Sequence, residues 1–272
     1  MYDGGLETPD RMGASMGRSV VRAGAPRCTG CTLPPRWCVC DLLPPVVTDL
    51  AVHVLIHRHE RGKPSSTGAL IGRAVAGATC HVFQRATRFH PARGMAALAP
   101  GGDVWILDPA GEPLPPRGSE PAAPPPRVVI VDGTWREAAE MNRSLTGLGR
   151  RVRLPEAAVP GRYWLREPPT PDKLSSADAL VRLLGRLDRA ESAARLRLHF
   201  ELHVYATLLA RGRREMAERY LGHSPLLTEA ADTLDRFHRR VRRPDRDEVD
   251  AGPVGGRRPQ GNGPAADGSA PP

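Results

Sequence analysis

Val128-Val129-Ile130-Val131 is an unbroken run of β-branched residues, a pattern that suits a strand buried on both faces. Directly afterwards the period changes, and Trp135, Ala138, Ala139 and Leu145 recur at helical spacing. Asp132-Gly133-Thr134 marks the break. Thr134 and Glu137 have the spacing of a capping box, which starts the helix, and Gly133 gives the turn access to unusual backbone angles. Asp132 is thereby placed at the carboxyl end of a central strand beside a helix N-terminus. Ligands bind at such positions in open α/β sheets. Asp, Gly and Thr are also ordinary turn residues, so the pattern alone leaves Asp132 either a chemical group or a turn cap.

The same reading along the chain predicts strands over 50–56, 79–84 and 103–109, with a helix over 69–77. The Pro-rich stretch 110–126 reads as a semi-rigid surface loop. Arg151-Val152-Arg153-Leu154 alternates as an edge strand does, and Tyr163 to Arg166 reads as a further short strand. Leu180, Val181, Leu183, Leu184 and Leu187 form one broad face of a helix over 177–187, and a longer helix follows over 191–210. Strands repeatedly precede helices, so the fold class is α/β with C-terminal helices packed on the sheet. One polar loop, 57–68, gathers cations, hydroxyls and glycines directly after the first strand. It suits an anion contact, and equally a solvated connection.

Length changes this picture little: 272 residues allow one domain of roughly 200 residues plus appendages. The stretches 1–25 and 243–272 lack apolar periodicity and read as disordered tails. No apolar run approaches the roughly 20 residues of a membrane span, and the N-terminus lacks a signal-peptide core, so a cytoplasmic protein is expected. Charge matters more. Lys and Arg number 39 against 30 Asp and Glu, giving +9 and a pI near 10.0, and nearly all of that positive charge is arginine, which matches phosphate and stacks on bases. A GC-rich genome also inflates arginine, so a nucleic-acid partner and a compositional origin both stay open. Cys28, Cys31, Cys38 and Cys40 are spaced to close a tetrahedral zinc site in a segment, 26–45, too small for its own core. Disulfides are disfavoured in a cytosolic chain. Cys80, alone among apolar neighbours, reads as an inert buried thiol.

Asp132-Gly133-Thr134-Trp135 following a four-cysteine cluster resembles the DTW-domain family, named for its Asp-x-Thr-Trp motif. His57 to Glu60, Lys63-Pro64 and Thr67-Gly68 are similar to that family's upstream loop, with Ser66 where asparagine is expected. Met141 and Arg143, the Tyr163 to Arg166 segment and Leu174 to Ala179 also fit, although Ser176 replaces threonine and Asp178 replaces glutamate. The resemblance covers roughly residues 27–210 and implies a catalytic domain over 46–242. It further implies a SPOUT-like sheet with flanking helices, whose cofactor pocket is built from knotted loops at strand ends. The implied activity is that of a tRNA-uridine aminocarboxypropyltransferase: S-adenosylmethionine gives its 3-amino-3-carboxypropyl group to uridine, and methylthioadenosine leaves.

Uridine N3 is a poor nucleophile while protonated, so this chemistry needs a base, and Asp132 is the candidate. Thr134 would orient that acid or hold the donor. Trp135 offers a face for adenine or the target base, or else anchors its helix in the core. Leu107, Asp108, Arg166, Leu174, Ser175 and Ser176 are candidates for the donor cradle, with Arg166 suited to the methionine carboxylate. Arg58, Arg61, Lys63, Arg136 and Arg143 are candidates for tRNA phosphates. Two alternatives remain at this level: an S-adenosylmethionine-dependent RNA methyltransferase, and a noncatalytic zinc-containing RNA-binding protein. Oligomeric state is left open.

Overall fold

The computed structural model describes residues 24–84, 103–115, 127–155, 161–166 and 173–242. The two tails read from sequence therefore lie outside the described residues, apart from positions 24 and 25. Five strands, β1 (Ala51–His57), β2 (Thr79–Phe83), β3 (Val104–Pro113), β4 (Arg127–Asp132) and β5 (Arg150–Arg153), form one sheet in the order β2-β1-β4-β3-β5. Every pairing is parallel. The helices are α1 (Thr67–Ala74), α2 (Trp135–Ser144), α3 (Ser176–Arg186), α4 (Ala190–Ala210), α5 (Arg214–Gly222), α6 (Leu226–Glu229) and α7 (Ala231–Arg242).

Side chains alternate across the sheet, and both faces are covered, which is why its central strands read as continuous apolar runs. Val54, Ile56, Trp105, Leu107, Val128 and Ile130 enter a large core shared with α1, α3 and α4. Leu55, Val104, Ile106 and Val129 enter a smaller one closed by Met141 and Leu145. The cysteine segment is no separate appendage, because Leu33, Trp37, Val39 and Leu42 belong to the larger core. Helix α7 fastens it: Arg236 donates to the Leu42 carbonyl, and Arg240 donates to the Cys38 carbonyl and pairs with Asp41.

Strand order decides where a site forms. From β1 the chain passes through α1 to β2 on one side, and from β4 it passes through α2 to β5 on the other. The adjacent ends of β1 and β4 are thus a switch point, where the departing helices open a crevice. Ile56 pairs with Asp132 across it.

Several sequence expectations need correction. Residues 161–166 form a turn rather than a strand. Their polar groups go elsewhere: the Trp164 N–H donates to the Arg162 carbonyl, and the Leu165 carbonyl accepts from Arg211. Strand β3 runs on to Pro113, into the stretch read as loop, because it pairs again with β5 beyond a bulge between Leu107 and Glu112. Cys80 is exposed, since β2 is the sheet's edge and three of its five residues are exposed. Gly133 has no positive φ. Its need is space, as a Cβ there would meet Glu137 Cβ and Met141 Cε at 3.0 Å. Among the described residues no helix is long and apolar enough to cross a membrane.

Candidate active site and metal centres

Asp132 ends β4 and is 6% exposed. Ser66 Oγ donates to its Oδ2 at 2.6 Å, while Thr67 Oγ1 and Ser176 Oγ donate to Oδ1 at 3.3 and 2.8 Å. The Gly68 N–H adds a backbone bond. These donors are delivered by two helix starts. Ser66 is the N-cap of α1, accepting the Ala69 N–H, and Ser175 is the N-cap of α3, which sets Ser176 at its first position. Gly68 permits the approach, because a Cβ there would fall 2.5 Å from Asp132 Cβ. Burial pushes the Asp132 carboxyl above the usual carboxylate range, against the hydroxyl and amide bonds that favour its anion. Ser176 Oγ also lies 3.0 Å from the Val131 carbonyl. Its single proton serves one acceptor at a time, so Ser176 can release Oδ1.

A second buried acid lies in the loop after β1. Glu60 is 1% exposed and is paired with Lys63 at 2.8 Å and with Arg166. Arg166 also donates to Ser65 Oγ at 2.8 Å, and the Tyr163 hydroxyl donates to the Ser65 carbonyl. Burial holds that phenol up at about 12. Loop 60–66 is thus tied to the turn at 163–166, and Ser66 is held in place against Asp132.

On the other side of Asp132, Thr134 and Glu137 complete the capping box. Glu137 Oε2 accepts the Thr134 N–H and hydroxyl, each at 2.8 Å. Oε1 faces two histidines, His57 Nδ1 at 2.8 Å and His59 Nδ1 at 3.2 Å. Burial opposes ionisation of Glu137, but the Thr134 bonds and the two rings bring it down to about 2. Trp135, the first residue of α2, is 41% exposed, so it is not the core anchor of its helix. Its ring is a largely exposed aromatic surface beside these groups, with the Lys173 ammonium 5.9 Å from its centroid.

The four cysteines converge as their spacing requires, with all four sulfurs within 4.8 Å of one another. Cys28 and Cys40 sulfurs are 3.7 Å apart, near the separation set by Zn–S bonds of about 2.3 Å in a tetrahedron. Thiols so close cannot all ionise unaided. Cys31 is pulled down to about 5 by its bond with Cys40, whereas burial pushes Cys38 up to about 11. A dication relieves that conflict. The Arg73 guanidinium, sensing all four sulfurs, supplies further positive charge.

A family model of the DTW domain matches residues 25–208. The chain belongs to the DTW-domain family. Relatives include tRNA-uridine aminocarboxypropyltransferase 2 of Macaca fascicularis, 26% identical over an alignment of 184 residues, with 60% of this chain and 57% of that protein covered. The Mus musculus protein of the same name is 26% identical over 172 residues, again 60% and 57% of the two chains. tRNA-uridine aminocarboxypropyltransferase A of Arabidopsis thaliana is 25% identical over 190 residues, 59% of this chain and 72% of the other. The match thus spans little more than half the length of the mammalian relatives. No solved structure matches.

In this DTW-domain protein the residues singled out from sequence divide into three groups. Asp132 lies buried among hydroxyl donors, the four cysteines converge, and Ser176, expected in the donor cradle, donates to Asp132. Others are engaged differently: Thr134 bonds to Glu137 and not to Asp132, Ser175 caps α3 and bonds to Asp178, and Arg166 is paired with Glu60. Leu107 is a core residue, and Asp108 accepts the Ala110 N–H and pairs with Arg151 at 3.3 Å. Leu174 lies half-buried just before the α3 cap. Arg58, Arg61, Arg136 and Arg143 are exposed, with no side-chain ion pair recorded among the described residues, whereas Lys63 is held by Glu60. Sequence reasoning did not assign Ser66, Thr67 and Gly68 to Asp132, nor Glu60 to Arg166. The available signal was a hydroxyl pair and a glycine at the start of a helix that follows a strand end.

Proposed function

We propose that this DTW-domain protein is a tRNA-uridine aminocarboxypropyltransferase that uses S-adenosylmethionine as donor. The observation that carries the reading is Asp132: a buried carboxylate at the switch point, its pKa raised by burial, satisfied by hydroxyls rather than by a cation. A carboxylate whose proton affinity is raised in this way suits the role of a general base. In the proposed reaction Asp132 takes the N3 proton of the target uridine. The N3 electron pair then attacks the donor's methylene carbon next to the sulfonium. The N–C bond forms, the C–S bond breaks with its electrons going to sulfur, and methylthioadenosine departs.

Trp135 supports the reading as an exposed stacking face for the uracil or the adenine. Arg58, Arg61, Arg136 and Arg143 border the same region in sequence and are suited to tRNA phosphates. Leu174, Ser176 and the residues around Leu107 remain the proposed donor cradle. With Arg166 held by Glu60, its role is to position the Ser65–Ser66 corner, and contact with the donor carboxylate would require it to share that pair. Zinc fits the four cysteines by donor set and spacing, and its role is structural, since their segment is built into the main core.

Nucleoside mass spectrometry of unmodified tRNA incubated with protein and S-adenosylmethionine tests this. A uridine heavier by the aminocarboxypropyl group, with methylthioadenosine released, is the expected result. A methyl-sized increment with S-adenosylhomocysteine would replace it with methyl transfer, and tRNA binding without modification would leave an RNA-binding protein.

A further inference from the structure

Neither the proposed transfer nor the cysteine cluster makes use of His57, His59 and Glu137, yet these three present their ligand atoms to one point. Nδ1 of His57, Nδ1 of His59 and Oε1 of Glu137 all lie within 4.8 Å of one another. The nitrogen-to-oxygen separations are 2.8 and 3.2 Å. A first-row ion with bonds of about 2.0–2.1 Å to nitrogen and oxygen spaces neighbouring ligands by roughly 2.9 Å in octahedral and 3.3 Å in tetrahedral geometry. The two nitrogen-to-oxygen separations already have nearly that spacing.

His57 Nδ1 faces two neighbours, the His59 backbone N–H at 3.4 Å and Glu137 Oε1 at 2.8 Å. The short contact to Glu137 has the length of an imidazole-to-carboxylate hydrogen bond, and a cation bound here takes the place of its proton. Glu137 is oriented for the purpose. Its other oxygen is fixed by the Thr134 N–H and hydroxyl, the kind of outer support that metal-ligating carboxylates have. His57 is fixed as well, as the buried last residue of β1 against the Phe83 ring. The His59 side chain is 56% exposed, which leaves an entry path and an open side.

We propose that His57, His59 and Glu137 bind one divalent first-row transition ion of the zinc class, separate from the cysteine site. Two imidazoles and one carboxylate suit zinc and its neighbours rather than magnesium or calcium. Three protein ligands leave a position for water or for an oxygen of an incoming substrate. The ion would stand at the switch point, because His57 directly follows Ile56, the residue paired with Asp132. The inference does not depend on which group the enzyme transfers.

Cobalt(II) titration of the full-length metal-stripped protein, followed by electronic absorption and by metal analysis, tests it. Cobalt on the cysteines gives intense sulfur charge-transfer bands, and cobalt on nitrogen and oxygen does not. The expected result is a binding step lacking sulfur bands, weakened at least about tenfold in His59→Ala and in Glu137→Gln, while the sulfur bands remain. His59→Ala alters an exposed side chain, and a melting curve close to wild type shows that the fold is retained. Cobalt uptake only with sulfur bands, or a nitrogen–oxygen step unchanged in both variants, would overturn the proposal.

Discussion

Gly68→Ala adds one methyl group where α1 meets the end of β4. The new Cβ would lie 2.5 Å from Asp132 Cβ, 2.7 Å from its Cγ and 2.9 Å from Val54 Cγ1. Carbon atoms normally rest about 3.5–4.0 Å apart, so either α1 retreats by about 1 Å or Asp132 leaves its position. Overpacking of this kind costs about 1–3 kcal/mol, and each kcal/mol lowers Tm by about 2–4 °C in a domain of this size. Activity should suffer more. A retreat of α1 carries away Ser66 and Thr67, which hold the carboxylate at 2.6 and 3.3 Å, and misplacing a reacting group by about 1 Å can cost about a hundredfold in rate. The assay pairs thermal unfolding with single-turnover transfer. Gly185→Ala is the control, because a Cβ added at that helical position would meet nothing within 4 Å, and alanine there should stabilise by about 0.5–1 kcal/mol without changing the rate. A Gly68→Ala protein with wild-type melting and turnover would refute the packing argument and the placement of Asp132 built on it.

Asp132→Asn should reduce transfer by at least about a hundredfold, the usual contribution of a general base, while leaving tRNA affinity within a few-fold. Because the Asp132 pKa is raised on folding, its stabilising contribution is present below the unfolded value near 3.9 and is lost as pH rises through the folded value. Urea unfolding should accordingly show the stability of the asparagine variant rising relative to wild type as pH increases through that window, and a relative stability that stays flat or falls would contradict the burial argument. Trp135→Ala should change stability by less than about 0.5 kcal/mol, as exposed substitutions do, but weaken substrate engagement by about 1–3 kcal/mol if a base stacks there. An unchanged KM for both substrates would remove the ring from the site. Cys28→Ser with Cys31→Ser should lose one zinc per chain and lower Tm, since Cys31 is 2% exposed in the main core, and an unaltered zinc content would dismiss the cysteine site.

The sheet and helices were legible wherever one period dominates. Val128 to Val131 gave a buried strand, the capping box gave the start of α2, and the Leu180 to Leu187 face gave α3. Asp132 was legible too, since a strand end followed by a cap is a local signal. Its partners were not, because they come from positions 66 and 44 residues away in sequence, and local pattern carries no information about which loops meet. Tyr163 to Arg166 shows the opposite failure. Alternating Tyr, Trp, Leu and Arg imitates a strand, but its outward groups are claimed by Ser65, Glu60 and Arg211, which fold it into a turn. The exposure of Cys80 depends on strand order, which periodicity does not fix.

Two buried acids share this end of the sheet, and their surroundings assign them different work. Glu60 is paired with Lys63 and Arg166 and serves as a structural tie. Asp132 receives hydroxyls and one backbone N–H, which stabilise an anion without supplying a formal charge, and burial prevails. Its proton affinity is therefore set by the number of donors, and Ser66 is the largest of those that lower it. Ser66→Ala removes a bond to a charged group worth about 1.5–3 kcal/mol. At about 1.4 kcal/mol per pKa unit, the acid limb of the kcat/KM profile should rise by roughly one to two units. The same change removes the α1 cap at about 1 kcal/mol, so Ser66→Thr, which keeps a hydroxyl, should restore both melting and the limb. Melting lowered with the acid limb in its original place would mean that Asp132 is not the group whose ionisation gates the reaction.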